Sequence, residues 1–333
     1  MPIATGSDPL AVLVIGCGNI AGGFDAARAP DAAPCTHAGA FRRHGRYRLS
    51  ACVDPDETRR REFMRHWGVA SGYSSMDALV ESGSRFDVVS ICSPTDCHAS
   101  DVLAALRLEP RIIFCEKPVT PNAATTAELV QSCEAAGVPL VINHTRRWDP
   151  EITRIRGELA SGVWGAVRTV VGLYNKGVLN NGSHMIDLLH HLLGPVSVVA
   201  TGTPVWDGLP DDPSVPAILS GVKTIPIHLV CGHASDFALF ELQIVTERGV
   251  LTMEEGGVAW RIRRTNESPH FRGYRTLDAG ERHAGGYLLA MLGAVSNIHE
   301  ALSSGAELAS TGRSALAVQE ICERIKEKSG LVR

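Results

Sequence analysis

No stretch of the 333-residue sequence reaches the roughly 18 consecutive apolar residues that a membrane-spanning helix needs, so no membrane partner is expected. Charge of one sign is not in excess either. Lysine and arginine number 32 against 36 Asp and Glu, and a net charge of −4 gives no electrostatic reason to expect nucleic acid or an anionic membrane as partner. Met1 to Pro9 lacks the basic start and apolar run of a secretory leader. The nine cysteines are odd in number and none forms a C-x-x-C pair, so reduced thiols and a cytoplasmic location are expected rather than a disulfide framework. Internal repeats are absent, and low complexity is confined to an alanine and proline insert at residues 29–34 and a proline-dotted stretch at 208–216. The rest, 44% hydrophobic and 20% charged, is ordinary for a soluble globular protein long enough for two domains.

The most informative stretch is Leu10-Ala11-Val12-Leu13-Val14-Ile15-Gly16-Cys17-Gly18-Asn19-Ile20-Ala21-Gly22-Gly23. Six apolar residues run into a glycine turn and then into small residues suited to opening a helix, the pattern of a buried parallel strand feeding a phosphate-binding loop. Gly16 allows the tight turn, Gly18 lets backbone amides approach a pyrophosphate, and Ala21 lets the helix pack closely while its N-terminal N–H groups face the anion. Gly16, Cys17, Gly18, Asn19 and Ile20 thus form a candidate dinucleotide cradle, with Cys17 either a small filler or an oxidation-sensitive thiol beside the cofactor. A second strand, Tyr47–Val53, ends in Asp54. That acid comes later than the usual distance of roughly 20 residues beyond the loop, because the insert at 29–34 intervenes before helical composition resumes at Thr36-His37-Ala38. Asp54 can accept hydrogen bonds from ribose hydroxyls and would repel a 2′-phosphate, so NAD is expected in preference to NADP. Arg59-Arg60-Arg61 would offset that repulsion if turned toward the site; a solvated helix face is the expected reading.

From Leu10 to about His144 short apolar runs alternate with helical stretches, the rhythm of a doubly wound parallel sheet. The run at 86–92 is a fourth strand, 111–115 a fifth and 138–143 a sixth, with helices near Glu57–Trp67 and at 123–136. The pattern changes near Trp148-Asp149-Pro150, which divides the chain into a nucleotide-binding domain, 1–147, and a substrate and oligomerisation domain, 148–333, with C-terminal helices at 287–302 and 311–328 able to pack back on the first. After a helix at 151–161, a strand at Val167–Tyr174 and a helix at 182–193, most segments to residue 264 are β-rich and separated by turns, which predicts an open, largely antiparallel sheet. The fold class is therefore α/β in both domains. An open sheet leaves one face free, and a second subunit is its natural cover, so a homodimer or homotetramer through this sheet is expected.

Ligands of open α/β sheets lie outside the carboxyl ends of the strands. Those ends carry Ser93-Pro94-Thr95 with His98, then Glu116-Lys117-Pro118, then Asn143. A lysine directly after a buried strand can aim an ammonium at a substrate oxygen; the alternative is a surface lysine in a turn. In Asn180-Asn181-Gly182-Ser183-His184-Met185-Ile186-Asp187, His184 and Asp187 are i and i+3 on a helix and can share a face. Histidine suits proton transfer near neutrality, and a nearby carboxylate can hold its tautomer. A satisfied core histidine is the plainer reading. A metal site from His184, Asp187 and His191 lacks a fourth ligand, and none is expected.

Together, Gly16-Cys17-Gly18-Asn19-Ile20-Ala21-Gly22, Asp54, Ser93-Pro94-Thr95 with His98, Glu116-Lys117-Pro118, Arg147-Trp148-Asp149-Pro150 and Gly182-Ser183-His184-x-x-Asp187 resemble the glucose–fructose oxidoreductase, inositol dehydrogenase and rhizopine-catabolism (Gfo/Idh/MocA) family over nearly the whole chain. The resemblance implies an N-terminal Rossmann domain, a C-terminal α/β domain whose open sheet forms subunit contacts, and hydride transfer between NAD, or NADP, and a sugar, cyclitol or related polyol. It implies that Lys117 binds cofactor and substrate oxygen and that His184 transfers the proton. Arg147, Trp148, Tyr174, Lys176 and Asn180 are then candidates for holding the sugar. The chain departs from the family pattern at Asn180, where many members carry aspartate; asparagine can position a hydroxyl but cannot take a proton. Two alternatives accompany the dehydrogenase reading: an NAD-retaining lyase, glycosidase or epimerase that oxidises transiently, and a non-catalytic nucleotide and sugar sensor.

Overall fold

The computed structural model describes residues 8–331, so all of the stretch read for a leader except Asp8 and Pro9 lies outside the described residues. The chain forms two units, one that runs to His144 and takes in Met291–Leu316, the other covering Thr145–Ala290 and resuming at Ala317.

In the first unit, six strands, β1 (Leu10–Ile15), β2 (Tyr47–Val53), β3 (Ser71–Tyr73), β4 (Val88–Ile91), β5 (Ile112–Cys115) and β6 (Leu140–Ile142), form one parallel sheet in the order β3-β2-β1-β4-β5-β6. Val12, Leu13, Val14, Val88, Val89, Ile91, Ile113 and Ile142 have no solvent exposure, as strands covered on both faces require. Burying each such aliphatic side chain stabilises the fold by about 1.5–3 kcal/mol. Helices between the strands start where capping residues stand: Thr36 caps α2 (His37–His44), Asp56 caps α3 (Glu57–Trp67) and Asn122 caps α6 (Ala123–Ala135), each accepting a first-turn N–H. Between β1 and α2 the chain makes a π-type turn, Asn19–Gly23, a single short helix α1 (Phe24–Ala26), and then the insert. The insert is irregular backbone as its prolines predict, and Arg43 Nη2 donates to Pro30 O and Ala32 O at 2.6 and 3.1 Å to hold it. The two remaining helices on the sheet are α4 (Met76–Glu81) and α5 (Thr95–Leu106).

The second unit opens on α7 (Pro150–Ala160), whose Asp149 cap accepts from Glu151 N and whose Pro150 occupies the first turn, where no N–H is needed. β7 (Val167–Tyr174) follows, then a second π-type turn, Gly177–Gly182, and α8 (Ser183–Leu193). The strands β8 (Ser197–Thr201), β9 (Ala217–Ser220), β10 (Pro226–Cys231), β11 (Phe240–Thr246), β12 (Gly249–Glu254), β13 (Ala259–Glu267), β14 (Arg275–Leu277) and β15 (Glu281–Ala284) complete a nine-stranded sheet in the order β14-β13-β12-β11-β7-β10-β9-β8, with β15 on β13. It is antiparallel except for β7 and β10, which run parallel because α8, β8 and β9 intervene. One face packs Val170, Leu229, Leu242 and Ile244 under Met185, Ile186, Leu188 and Leu189 of α8. Two helices close the chain, α9 (Ala290–Ser304) and α10 (Gly312–Lys328).

Candidate active site

The strand order of the first sheet reverses between β1 and β4, where open α/β sheets form their ligand crevice. Gly16 turns there with φ +82°, and its N–H donates to Val53 O at 2.8 Å. A Cβ on Gly16 would lie 2.6 Å from Ser93 N, so glycine alone lets the turn press against the end of β4. Gly18 is the opposite case: nothing lies within 4 Å of where its Cβ would be, and Asn19 and Ile20 begin the π-type turn beyond it. Cys17 N–H donates to Asp54 Oδ2 at 2.8 Å, and Asp56 N–H to Asp54 Oδ1 at 2.9 Å. Cys17, Gly18, Asn19, Arg59 and Phe63 line a cleft of about 490 Å³. A turn closed beneath Gly16, open above Gly18 and tied to a carboxylate at the end of β2 is a set of residues that fits a dinucleotide's pyrophosphate and ribose. The hydrogen bond shared with Cys52, together with burial, pushes the Cys17 thiol up, which keeps it protonated and leaves it the filler role.

Of the three arginines of α3, Arg59 and Arg61 are exposed and Arg60 is half-buried. Arg59 Nη1 lies 3.7 Å from Asp54 Oδ2, Arg60 Nη1 donates to Asp54 O at 2.6 Å, and only Arg61 turns away, to Glu57. The expected solvated face thus holds for Arg59 and Arg61 and fails for Arg60, because the Asp54 turn presents a carbonyl to the helix start.

At the end of β4, Pro94 precedes Thr95, the first residue of α5, and Ser93 Oγ donates to Asp101 Oδ2 at 2.5 Å. His98, expected at the cofactor, is 1% exposed and is tied on both ring nitrogens, Nε2 to Ser93 O at 2.8 Å and Nδ1 to Pro118 O at 2.9 Å. Its place is that of a latch between the β4 and β5 turns. Lys117, half-buried, precedes Pro118 through a cis peptide bond. Glu116 faces inward, where His37 Nε2 stands 2.9 Å from its Oε1 and Asn143 Nδ2 donates to the same oxygen at 2.5 Å. His37 Nδ1 lies 2.7 Å from Ser90 Oγ, and its ring is 4.5 Å from that of Phe114. Asn143, 2% exposed, is therefore a second-hand contributor that orients Glu116. Burial opposes charge on His37, but the Cys92 sulfur and the Glu116 carboxylate outweigh it and raise the imidazole to about 10. Burial likewise opposes ionisation of Glu116, and His37, Asn143 and Lys117 together hold it below the usual carboxylate value. A buried ion pair thus anchors the residue next to Lys117. His37 and Ser90 were not singled out from sequence; the histidine that opens α2 right after its Thr36 cap was the available signal.

In the second unit, Arg147 Nε donates to Asp187 Oδ1 and Oδ2 at 2.8 and 3.0 Å, and its Nη2 lies 2.8 Å from Oδ1. Both side chains are nearly enclosed, 11% and 2% exposed. Asp187, read as the group that orients His184, is thereby the buried anchor of Arg147. His184 stands in the first turn of α8, edge-on to Phe240 with ring centroids 6.5 Å apart. The turn before it is built by a loop that sequence left as proline-dotted: Asp212 accepts from Leu179 N and Asn180 N at 3.0 and 2.8 Å, Asp207 Oδ2 accepts from Lys176 N at 2.7 Å, and Ser214 Oγ accepts from Gly177 N at 2.9 Å. Lys176 itself is exposed, with a left-handed φ of +66°, and Asn180 Nδ2 donates to Lys176 O at 3.0 Å. Trp148 is buried, 8% exposed. Tyr174 departs from expectation. Its hydroxyl donates to Val215 O at 2.8 Å and accepts from Val215 N at 3.0 Å, and it is 1% exposed, so the hydroxyl is committed to the loop before β9 rather than offered to a sugar. Burial lowers His190 and His191, the latter to about 4, so both are neutral at pH 7. Among the described residues no three His, Cys, Asp or Glu side chains are grouped to hold a metal ion.

Residues 10–144 match the model of an oxidoreductase family with an NAD-binding Rossmann fold. Myo-inositol 2-dehydrogenase of Thermotoga maritima is 30% identical over 117 residues, 35% of this chain and 34% of that protein. D-apiose dehydrogenase of Paraburkholderia graminis is 27% identical over 208 residues, 56% and 54% of the two chains. The chain thus spans from about a third to about half the length of these curated relatives. Among solved structures, the WlbA dehydrogenase of Bordetella pertussis, in complex with NADH and UDP-GlcNAcA, superposes with a TM-score of 0.75 over 97% of both chains at 17% identity, a likeness of fold.

Proposed function

We propose that this chain, whose residues 10–144 match the model of the Gfo/Idh/MocA oxidoreductases, is a member of that family and a nicotinamide-dependent dehydrogenase acting on a secondary alcohol, or the matching ketone, of a sugar or cyclitol. The observation that carries the reading is the placement of Lys117. It follows β5 on the same sheet edge as the Gly16 turn, and the His37–Glu116–Asn143 network fixes the residue before it. A bound nicotinamide supplies the hydride donor or acceptor. The Lys117 ammonium steadies the negative charge that develops on the substrate oxygen, and His184 takes the hydroxyl proton or returns it. Arg147, in the segment before α7, and Asp187, on α8, tie those two elements together, and Asn180 positions a hydroxyl. The substrate class follows the relatives, which act on inositol and apiose.

Replacing Lys117 with Met should leave dinucleotide binding within about threefold while turnover on a polyol panel falls by about 10²–10⁴, the range for removal of a positioned charge-stabilising or proton-transfer group. Wild-type turnover in that variant removes Lys117 from the mechanism. Substrate consumption without net change in reduced nicotinamide would instead identify an enzyme that recycles its cofactor in place.

A further inference from the structure

We propose that Arg146 binds a carboxylate on the substrate beside His184, so that the sugar oxidised or reduced here is an acid of the uronate or aldonate class; the inference rests on the dehydrogenase reading above and narrows it. Arg146 stands in the tight turn Thr145–Trp148 that leads into α7, and it is buried, 7% exposed. Its guanidinium carbon lies 3.8 Å from the centroid of the Phe240 ring and 4.7 Å from that of Tyr287, and Nε donates to Gly256 O at 3.0 Å. Two aromatic rings and a carbonyl thus fix the orientation of the planar fork. Among the described residues neither terminal nitrogen of Arg146 makes a hydrogen bond or an ion pair, and neither is closed off by protein.

Arg147, next in the chain, shows the opposite arrangement, because Asp187 fills its fork. Burial works against the charge on Arg146, and Tyr287, Asp149 and Asp187 recover only part of that cost. A guanidinium nevertheless stays protonated. The two acids are engaged or distant: Asp187 belongs to Arg147, while Asp149 caps α7 through Oδ1 and keeps a buried Oδ2 that reaches no partner. A buried cation without a counter-ion is costly, and an anion brought from outside removes that cost. The place of the anion follows from Phe240, since the ring that Arg146 packs against is the one His184 meets edge-on. A group on the fork therefore lies one aromatic ring away from the proton-transferring imidazole, a reach that a single sugar spans. Gly256, with φ +69°, keeps the approach clear, because a Cβ there would stand 3.2 Å from Arg146 Nη2. With Arg147 neutralised, the pair supplies one positive charge. That matches a planar carboxylate taking two parallel N–H bonds better than a phosphate dianion.

The test compares initial rates of NAD reduction with D-glucuronate, D-galacturonate and D-gluconate against D-glucose, D-galactose and glucose 6-phosphate. At least one acid should exceed its neutral parent in kcat/KM by about tenfold or more, and Arg146→Met should cut that acid-to-neutral ratio by about a hundredfold, mainly through KM. Arg146→Lys, which keeps the charge but not the fork, should fall between. The unliganded Arg146→Met protein should melt no lower than wild type, since the substitution removes an unpaired buried charge. Acids no better than their parents, a ratio unmoved by Arg146→Met, or a lower melting temperature with equal losses on acids and neutral sugars overturns the inference and leaves the dehydrogenase reading standing. Preference for glucose 6-phosphate over every carboxylate also overturns it. Should no sugar reduce NAD, the dehydrogenase reading falls, and calorimetry with D-glucuronate still decides the inference: binding that Arg146→Met abolishes upholds the carboxylate site, and absence of binding to wild type removes it.

Discussion

His37 shows how one buried side chain can set the chemistry of another. It has no solvent exposure and bridges Ser90 and Glu116, so a neutral ring would leave the Glu116 carboxylate facing a weaker partner in a poorly solvated place. Its raised value means that its contribution to stability is complete below the ordinary histidine value of 6.5 and is lost as pH rises toward about 10. Glu116 is lowered, so its contribution is present above its ordinary 4.5 and is lost as pH falls. The pair therefore stabilises most between those two ordinary values. Replacing His37 with Gln, which keeps a hydrogen bond but not the charge, should cost about 3 kcal/mol at pH 5.5, and the gap in melting temperature from wild type should narrow on going to pH 9.5. A gap that stays constant with pH would show that the pair is not ionic.

At the scale of elements, the two π-type turns stand in comparable places, Asn19–Gly23 after the glycine turn and Gly177–Gly182 before His184. Such turns are costly to form without outside support. The second is supported by Asp212, which bonds the backbone N–H groups of Leu179 and Asn180 and is itself held by Lys326 Nζ at 3.2 Å. Gly177 has φ +87°, and a Cβ there would collide with Asp212, so the glycine and the acid fit each other. Asp212→Ala should thus lose about 1–3 kcal/mol, and hydrogen exchange at the Leu179 and Asn180 amides should accelerate well before exchange in the β7 core. Unchanged protection at those amides would show that the turn is held by other contacts. Much of the element level is legible in the sequence. Tyr47–Val53, Glu57–Trp67 and Val167–Tyr174 appear with the bounds that their periodicity and flanking residues predict, because each is a local pattern closed by a cap, a glycine or a charged turn. β9, β14 and β15 were not read as strands: at three or four residues they are too short to show an alternation of two, and their extended form comes from pairing with β10 and β13. The candidate site divides the same way. The glycine turn, Asp54, Glu116-Lys117-Pro118 and His184 are visible because they sit at element ends, whereas the partners that fix them, His37 with Glu116 and Asp212 with Asn180, lie 79 and 32 residues apart and leave no local signature.

At the scale of the whole molecule, the second unit's sheet has one face under α8, and on its other face several aliphatic side chains are exposed among the described residues. On β10 the alternation puts Ile227 and Leu229 inside and His228 and Val230 outside, and the pairing places His228 opposite Ile218 on β9 and Val171 on β7. Val230 and Ile218 are 45% and 43% exposed, and Val199 on β8 is 56% exposed. Polar neighbours such as Gln243 and Thr252 interleave with them, as they do on surfaces that remain soluble before association. Covering the remaining half of each such aliphatic side chain is worth about 1 kcal/mol, enough in sum over several strands to favour a second copy across a flat face. Light scattering of the purified protein should therefore give a mass of at least twice 35.6 kDa. Val230→Glu places a carboxylate on that face, opposite Leu173 of β7 in the register, and should return the mass to that of one chain without altering the far-ultraviolet spectrum. A wild-type protein that stays at the mass of one chain would show that these side chains are merely tolerated at the surface, and an oligomer untouched by the charge would place its contacts elsewhere.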